Sequence, residues 1–318
     1  MRKILIIATV IFLNGNLFGQ RNYIPYYNIS AEAEWHYDNG RFDQAEVLFE
    51  QAFKQIDLPK TKDVWLYAII LSKKGEKNKV YRLLKTHFRK IGGVSRRIDP
   101  YLKDSNIELS DKQIAKINSF IIDTTSIEYM DEMKTISILD SMVEVDQLSK
   151  KKDAGYDSIW WVTGNDSVFV ERKKIIQDVD SLNYLAIVDL IENGKLKKNR
   201  FVGANFSLLL LHMRTDRFVN IEPQLFELVK TGILDPWDFA SAKDRKYTEN
   251  GDCIIYYAYT YTADDLTCIS YDEILNNRRS IGLSAYYRRP SFNFYIRPGR
   301  MMKTPMKEFY ESELKRKQ

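Results

Sequence analysis

Between about Tyr26 and Gly92, small and apolar residues recur at helical spacing, and the arrangement returns 35 residues later. In the first copy, AEAEWHYDNGRFDQAEVLFEQAF, Asn39-Gly40 is the break between two helices. Gly40 maps onto Gly75, Ala45 onto Val80, Phe49 onto Leu84 and Ala52 onto His87. A small residue at 45 lets two helices approach, while 49 and 52 fill the groove between them. Such a chain is constrained to stacked helical pairs, because each pair buries its apolar face only against a neighbour. Two copies are too few to stack alone, so the pair is expected to pack on the domain that follows.

The spacing of Gly40, Phe42, Ala45, Phe49 and Ala52 resembles that of a tetratricopeptide repeat. The second copy is degenerate, with Val80 and His87 where small residues belong. The resemblance covers one and a half to two repeats within residues 23–92, and it implies a protein partner for them.

The remaining organisation is mostly helical. Residues 93–133 read as a linker with short helices, although Ser110 to Gln113 has the capping-box pattern before Ile114, Ile117 and Ile121. A helical run from about Lys134 to Lys151 opens a domain spanning 134–300, with Ile138, Met142 and Val145 on one face. The tract SIWWVTGNDSVFV is compatible with a hairpin across Gly164-Asn165 or with a helix starting at Asp166. Asp180 is expected to cap a helix ending at Asn193-Gly194, and Leu208 to His212 lie in a helix apolar nearly all round. A third helix runs from Ile221 to Lys230, and Asp235-Pro236 gives an N-cap followed by proline at the first helical position. Only 253–270 reads as β, two strands around Ala263-Asp264-Asp265. The expected fold class is mainly α (α+β), helical hairpins followed by a helical domain with one small hairpin or sheet.

The first residues set the expected compartment. Met1-Arg2-Lys3 precedes the uncharged run Ile4 to Leu13, and ten residues of helix cover about 15 Å, half a bilayer core. A basic start, a short apolar stretch and a polar tail ending near Gly19 have the layout of a signal peptide over residues 1–19. The other reading is an anchor left in place. Export makes nucleic acid and ATP poor candidates as partners, and no membrane span is expected after signal removal. Export also permits a disulfide between Cys253 and Cys268, the only two cysteines. A turn at 263–265, however, would set Cys268 opposite a residue near 259 rather than opposite Cys253. A mean hydropathy of −0.39 and 29% charged residues fit a water-soluble chain and exclude a multi-span membrane protein.

From about Ile136 onward, Asp146-Gln147, Asp180 to Asn183 with Gly194, Val202-Gly203, His212, Asp244-Arg245, Tyr257-Ala258 and Arg279 to Leu283 follow in order. This series resembles a bacterial family of unknown function, common in secreted or repeat-bearing proteins of the Bacteroidota. Lys150 stands where that family has arginine, and Ala258 where it has glycine. Lysine keeps the charge but loses the planar fork that grips a carboxylate or phosphate in two places. The resemblance thus implies that any family site is altered here, and it carries no activity.

Asp146, His212 and Asp244 are the residue types of an acid–base site, and Gln147, Lys150, Arg245, Arg279 and Arg288 are candidates to bind a ligand. The structural alternative is a buried ion-pair network around a core histidine. His36, His87 and His212 are too far apart for a metal-ligand motif, and neither a phosphate loop nor a nucleophile elbow occurs, so no metal and no cofactor are expected. Residues 275–318 hold eleven Lys and Arg against three Asp and Glu, a balance of +8 in a chain whose net charge is +5. Its last part, 301–318, reads as a basic helix or tail, and an anionic glycan or lipid head group is a candidate partner. The expected function is an exported, non-catalytic interaction or scaffold protein; the alternative is an extracytoplasmic hydrolase using Asp146, His212 and Asp244.

Overall fold

Gly40 and Gly75 take left-handed backbone, φ +72° and +75°, which a β-carbon resists, and at each one helix ends before the next begins. Helix α1 (Ile24–Asp38) packs on α2 (Phe42–Phe53), and α3 (Thr61–Lys73) packs on α4 (Lys77–Ile91). The computed structural model describes residues 22–91, 102–103, 105–121, 127–163, 166–196, 203–256, 258, 269–283, 286–287 and 304–305. Ala45, Phe49, Ala52, Val80, Leu84 and His87, the positions picked out by the 35-residue echo, are all buried.

These pairs have a third layer. Helix α5 (Asp111–Ile121) begins at the capping box: the Gln113 amide donates to Ser110 Oγ, and the Ser110 amide donates to Gln113 Oε1 at 3.0 Å. It packs on α4 and places Ile117 in the same core as Phe49, Ile70 and Leu84.

A second core is built by α6 (Ile127–Thr163), α7 (Asp166–Glu192), α8 (Gly203–His212), α9 (Thr215–Lys230) and α10 (Pro236–Asn250), with Ile281 and Leu283 just beyond α11 (Tyr271–Ser280). Its centre includes Leu139, Ile187, Phe206, Leu210, Phe218 and Phe239. Helices α6 and α7 pack on each other, and α6, 37 residues long, extends about 55 Å. The tract SIWWVTGNDSVFV therefore falls in two helices, ending at Thr163 and starting at Asp166, and not in a β-hairpin. Asp180 lies inside α7 and does not cap it, because the helix begins fourteen residues earlier at Asp166.

The repeat segment is joined to this second core by its first aromatic residues. Tyr23, Tyr26 and Tyr27 belong to the second core, with ring centroids 5.4–5.7 Å apart. The Tyr23 amide donates to the Lys230 carbonyl at 2.8 Å, and Asn28 Nδ2 donates to the Arg279 carbonyl at 3.0 Å. Lys60 Nζ lies 2.5 Å from Asp235 Oδ2 and 4.3 Å from the centre of the Tyr27 ring. Asp235 is also the N-cap of α10, accepting from the Trp237 amide, with Pro236 at the first position as the Asp-Pro pair predicts. Burial opposes a charge on Lys60, and the Asp235 carboxylate, with Tyr27 and Asp63, overcomes that and holds its pKa above the ordinary lysine value.

The fold is mainly α, with eleven helices among the described residues. The hairpin expected over 253–270 is corrected where it is described: Cys253 to Tyr256 form an irregular loop, while 257 and 259–268 lie outside the described residues. Strand pairing among the described residues is one two-residue antiparallel ladder, Tyr286 opposite Pro305 and Tyr287 opposite Thr304. Cys253 is disulfide-bonded, which the expected turn at 263–265 did not favour; Cys268, the chain's one other cysteine, lies outside the described residues. Residues 1–19, Arg288 and most of 301–318 are outside them as well. Among the described residues no helix is long and apolar enough to cross a membrane.

Candidate functional site

Helical periodicity brings Asp146 to the core-facing side of α6, with Leu139 and Met142, and there it meets the last residue of α8. His212 Nδ1 lies 2.6 Å from Asp146 Oδ2, and Gln147 Nε2 donates to the same oxygen at 3.2 Å. A carboxylate accepting from Nδ1–H fixes the imidazole tautomer so that Nε2 carries the lone pair. This is a carboxylate–histidine pair of the kind that abstracts protons, half-enclosed between two helices. Ser149, one turn further along α6, donates its hydroxyl to the Asp146 carbonyl at 2.7 Å, so the nearby alcohol is tied to the backbone.

Asp244 serves another purpose. Its side chain is fully buried, and its carboxylate accepts from the amides of Ile255 at 3.0 Å, Tyr256 at 2.9 Å and Ala258 at 2.7 Å. Burial raises its pKa to about 6, against the lowering by those three amides and by the Arg278 charge. Arg278, from α11, is itself fully buried and donates through Nη1 to the Tyr256 carbonyl at 2.5 Å. Asp244 and Arg278 thus fold one loop between them. This also explains why the described residues 253–256 are not a strand, because the Ile255 and Tyr256 amides are used by a carboxylate. The three acid–base candidates therefore do not act as one group: Asp146 and His212 touch, and Asp244 is spent on loop amides.

The remaining candidates divide. Arg245 Nε donates to Glu249 Oε1 at 2.8 Å, four residues on along α10, an ordinary helix-surface pair. Arg279 is exposed at the end of α11, where its carbonyl receives Asn28. Lys150 is placed on α6 by the backbone, while its side chain and the whole of Arg288 lie outside the description. Asp180 pairs with Arg217 at 2.7 Å, with Ser181 Oγ 2.6 Å from the same guanidinium. Its pKa is raised by burial, and Arg217 acts against that.

Two features escaped the sequence reading. Lys246 is buried and donates to the Leu211 carbonyl at 3.0 Å and to Glu249 Oε2 at 3.2 Å, so a cation sits at the C-terminal end of α8 beside His212. Burial lowers its pKa, with Glu249 opposing. The only signal in the sequence was its place two residues after Asp244, and lysine is ordinarily a surface residue. A second feature lies far from His212. A groove of about 720 Å³ opens between α4 and α5, lined by Tyr81, Lys85, Lys112, Gln113, Ala115 and Lys116, with a serine at each end. Its lysines are spread over thirty residues of sequence in two segments assigned to different domains, so nothing linked them. Among the described residues no three His, Cys, Asp or Glu side chains gather into a metal site.

Comparison with known proteins returned no matching family model, no curated relative and no solved structure of similar fold.

Proposed function

We propose that this chain is an exported, non-catalytic interaction protein, in which a repeat-like helical pair docked on a helical domain offers surfaces to a protein partner. The observation that carries this reading is the dispersal of the catalytic-type residues: Asp244 is committed to three loop amides, Arg245 to Glu249, and Asp180 to Arg217. The long α6–α7 pair supports it, since Met130, Val145, Leu148, Val170, Leu182 and Leu185 are large apolar side chains exposed along it, the kind of surface a partner can cover. The disulfide at Cys253 supports an oxidising compartment and agrees with the basic and apolar start of the chain.

The test is crosslinking of the full chain in envelope fractions of its own source cells, followed by identification of the crosslinked proteins. A reproducible partner that competes with unlabelled protein is the expected result, and recovery of the chain alone would count against the reading. The hydrolase reading keeps one specific support, the 2.6 Å contact of His212 with Asp146. It expects turnover of chromogenic esters, phosphoesters or glycosides that His212→Ala reduces by about a hundredfold or more, the usual scale of acid–base catalysis. Equal, near-zero rates for both proteins discard it.

A further inference from the structure

The groove between α4 and α5 differs in charge from the helix surfaces around it. Three lysines line it, Lys85 from α4 and Lys112 and Lys116 from α5, and no carboxylate does. None of the three has an acidic partner among the described residues; Lys85 and Lys116 lie only against the rings of Tyr81 and Phe120, at 5.6 and 5.0 Å. Three lysines on other faces of these helices are compensated by carboxylates, whereas Lys73 lies against the Phe42 ring and Lys90 donates to the Asp57 carbonyl. Lys74 meets Asp43 and Glu46, Lys77 meets Glu108 at 2.6 Å, and Lys79 meets Glu76 at 2.5 Å. Uncompensated cations held side by side repel each other, and an anion between them removes that cost.

The shape narrows the anion. The α5 side of the lining runs from Ser110 to Ser119, nine residues of helix, or about 14 Å. That length matches about four residues of extended peptide and exceeds what one phosphate occupies. The volume of about 720 Å³ is within the range of ligand clefts. The Tyr81 ring, the Ala115 methyl and the lysine stems give apolar contact between the charges, which suits acidic residues interspersed with apolar ones.

We propose that the α4–α5 groove is a docking site for an acidic peptide segment of a partner protein, with Lys85, Lys112 and Lys116 receiving its carboxylates. The proposal rests on the interaction reading above and names the surface and the partner's chemistry.

The test is fluorescence anisotropy with the full chain and a labelled short peptide of alternating glutamate and leucine. Replacing Lys85, Lys112 and Lys116 together by serine is expected to weaken binding about tenfold, the sum of three exposed charge contacts. A control triple, Lys134→Ser, Lys173→Ser and Lys174→Ser, removes equal charge from exposed positions on α6 and α7 and is expected to stay within twofold of wild type. All six lysines are solvent-facing or half-exposed, so circular dichroism should report intact folding in both variants. Absence of peptide binding, equal weakening by both triples, or a sulfated glycan fragment that binds more tightly and is itself sensitive to the groove triple would each overturn the assignment. Crosslinking separates this from the broader reading. A partner still captured by the groove triple removes the groove and leaves the interaction protein, whereas no partner for wild type removes both.

Discussion

His87 offers a sharp test of how the repeat core is held. It sits on the buried side of α4 with Nε2 3.1 Å from Thr61 Oγ1, while Nδ1 is buried without a hydrogen-bond partner. Burial first, and the Lys90 charge second, lower its pKa from 6.5 to about 4. The folded chain therefore keeps His87 neutral down to about pH 4, whereas the unfolded chain binds a proton below about 6.5. Above 6.5 neither state is protonated and the site contributes its full stability. As pH falls from 6.5 to 4 only the unfolded state gains the proton, so stability is lost over that window. Two and a half pH units at 1.36 kcal/mol each make that loss about 3 kcal/mol.

The whole-chain profile does not show this directly, because Asp244 acts with the opposite sign. Its pKa rises on folding from 3.8 to about 6, so its contribution is complete below 3.8 and is lost as pH rises through 6. Over most of the same interval the two largely cancel. A His87→Gln variant exposes the difference, since the glutamine amide can hydrogen-bond to a hydroxyl such as that of Thr61 and does not titrate. Urea unfolding followed by circular dichroism, from pH 4 to 7.5 on both proteins, gives the subtraction in which every other group drops out. Wild type should lose about 3 kcal/mol relative to the variant on going from pH 7 to pH 4. Profiles that run parallel would refute both the burial argument and the placement of His87.

Other perturbations probe the joints of the structure. Asp244→Ala strands three loop amides and the buried Arg278 charge, and should cost about 3–5 kcal/mol, read as a lower urea midpoint. Gly282, at φ +81°, would bring a β-carbon within 2.6 Å of Tyr27 Cβ, while Gly40, at φ +72°, has open space. Gly40→Ala should therefore cost about 1 kcal/mol, and Gly282→Ala clearly more, with equal thermal shifts counting against the docking of α1 on α11. Asp235→Ala removes both a helix cap and the carboxylate facing Lys60, and about 1–2 kcal/mol should appear as a lower melting temperature.

What could be read from the sequence was whatever depends on neighbours along the chain. The echo of Gly40, Ala45, Phe49 and Ala52 at Gly75, Val80, Leu84 and His87 placed two helical pairs correctly, because turn glycines and helical faces are local properties. The Ser110–Gln113 box and Asp235-Pro236 marked two helix starts for the same reason. Reading 253–256 as strand failed on a non-local fact: Asp244, more than ten residues earlier, takes amides that β propensity assumes are available. The pairing of Asp146 with His212, across 66 residues, was a list of suitable types until α6 and α8 packed. Tertiary structure also separated Asp244 from that pair, drew Lys246 and Arg278 inside, and brought lysines from α4 and α5 to one groove. Local signals decide where helices begin and which face is apolar. Which polar side chain meets which is decided by how those faces pack, because a buried charge is stable only where the assembled fold supplies its partner.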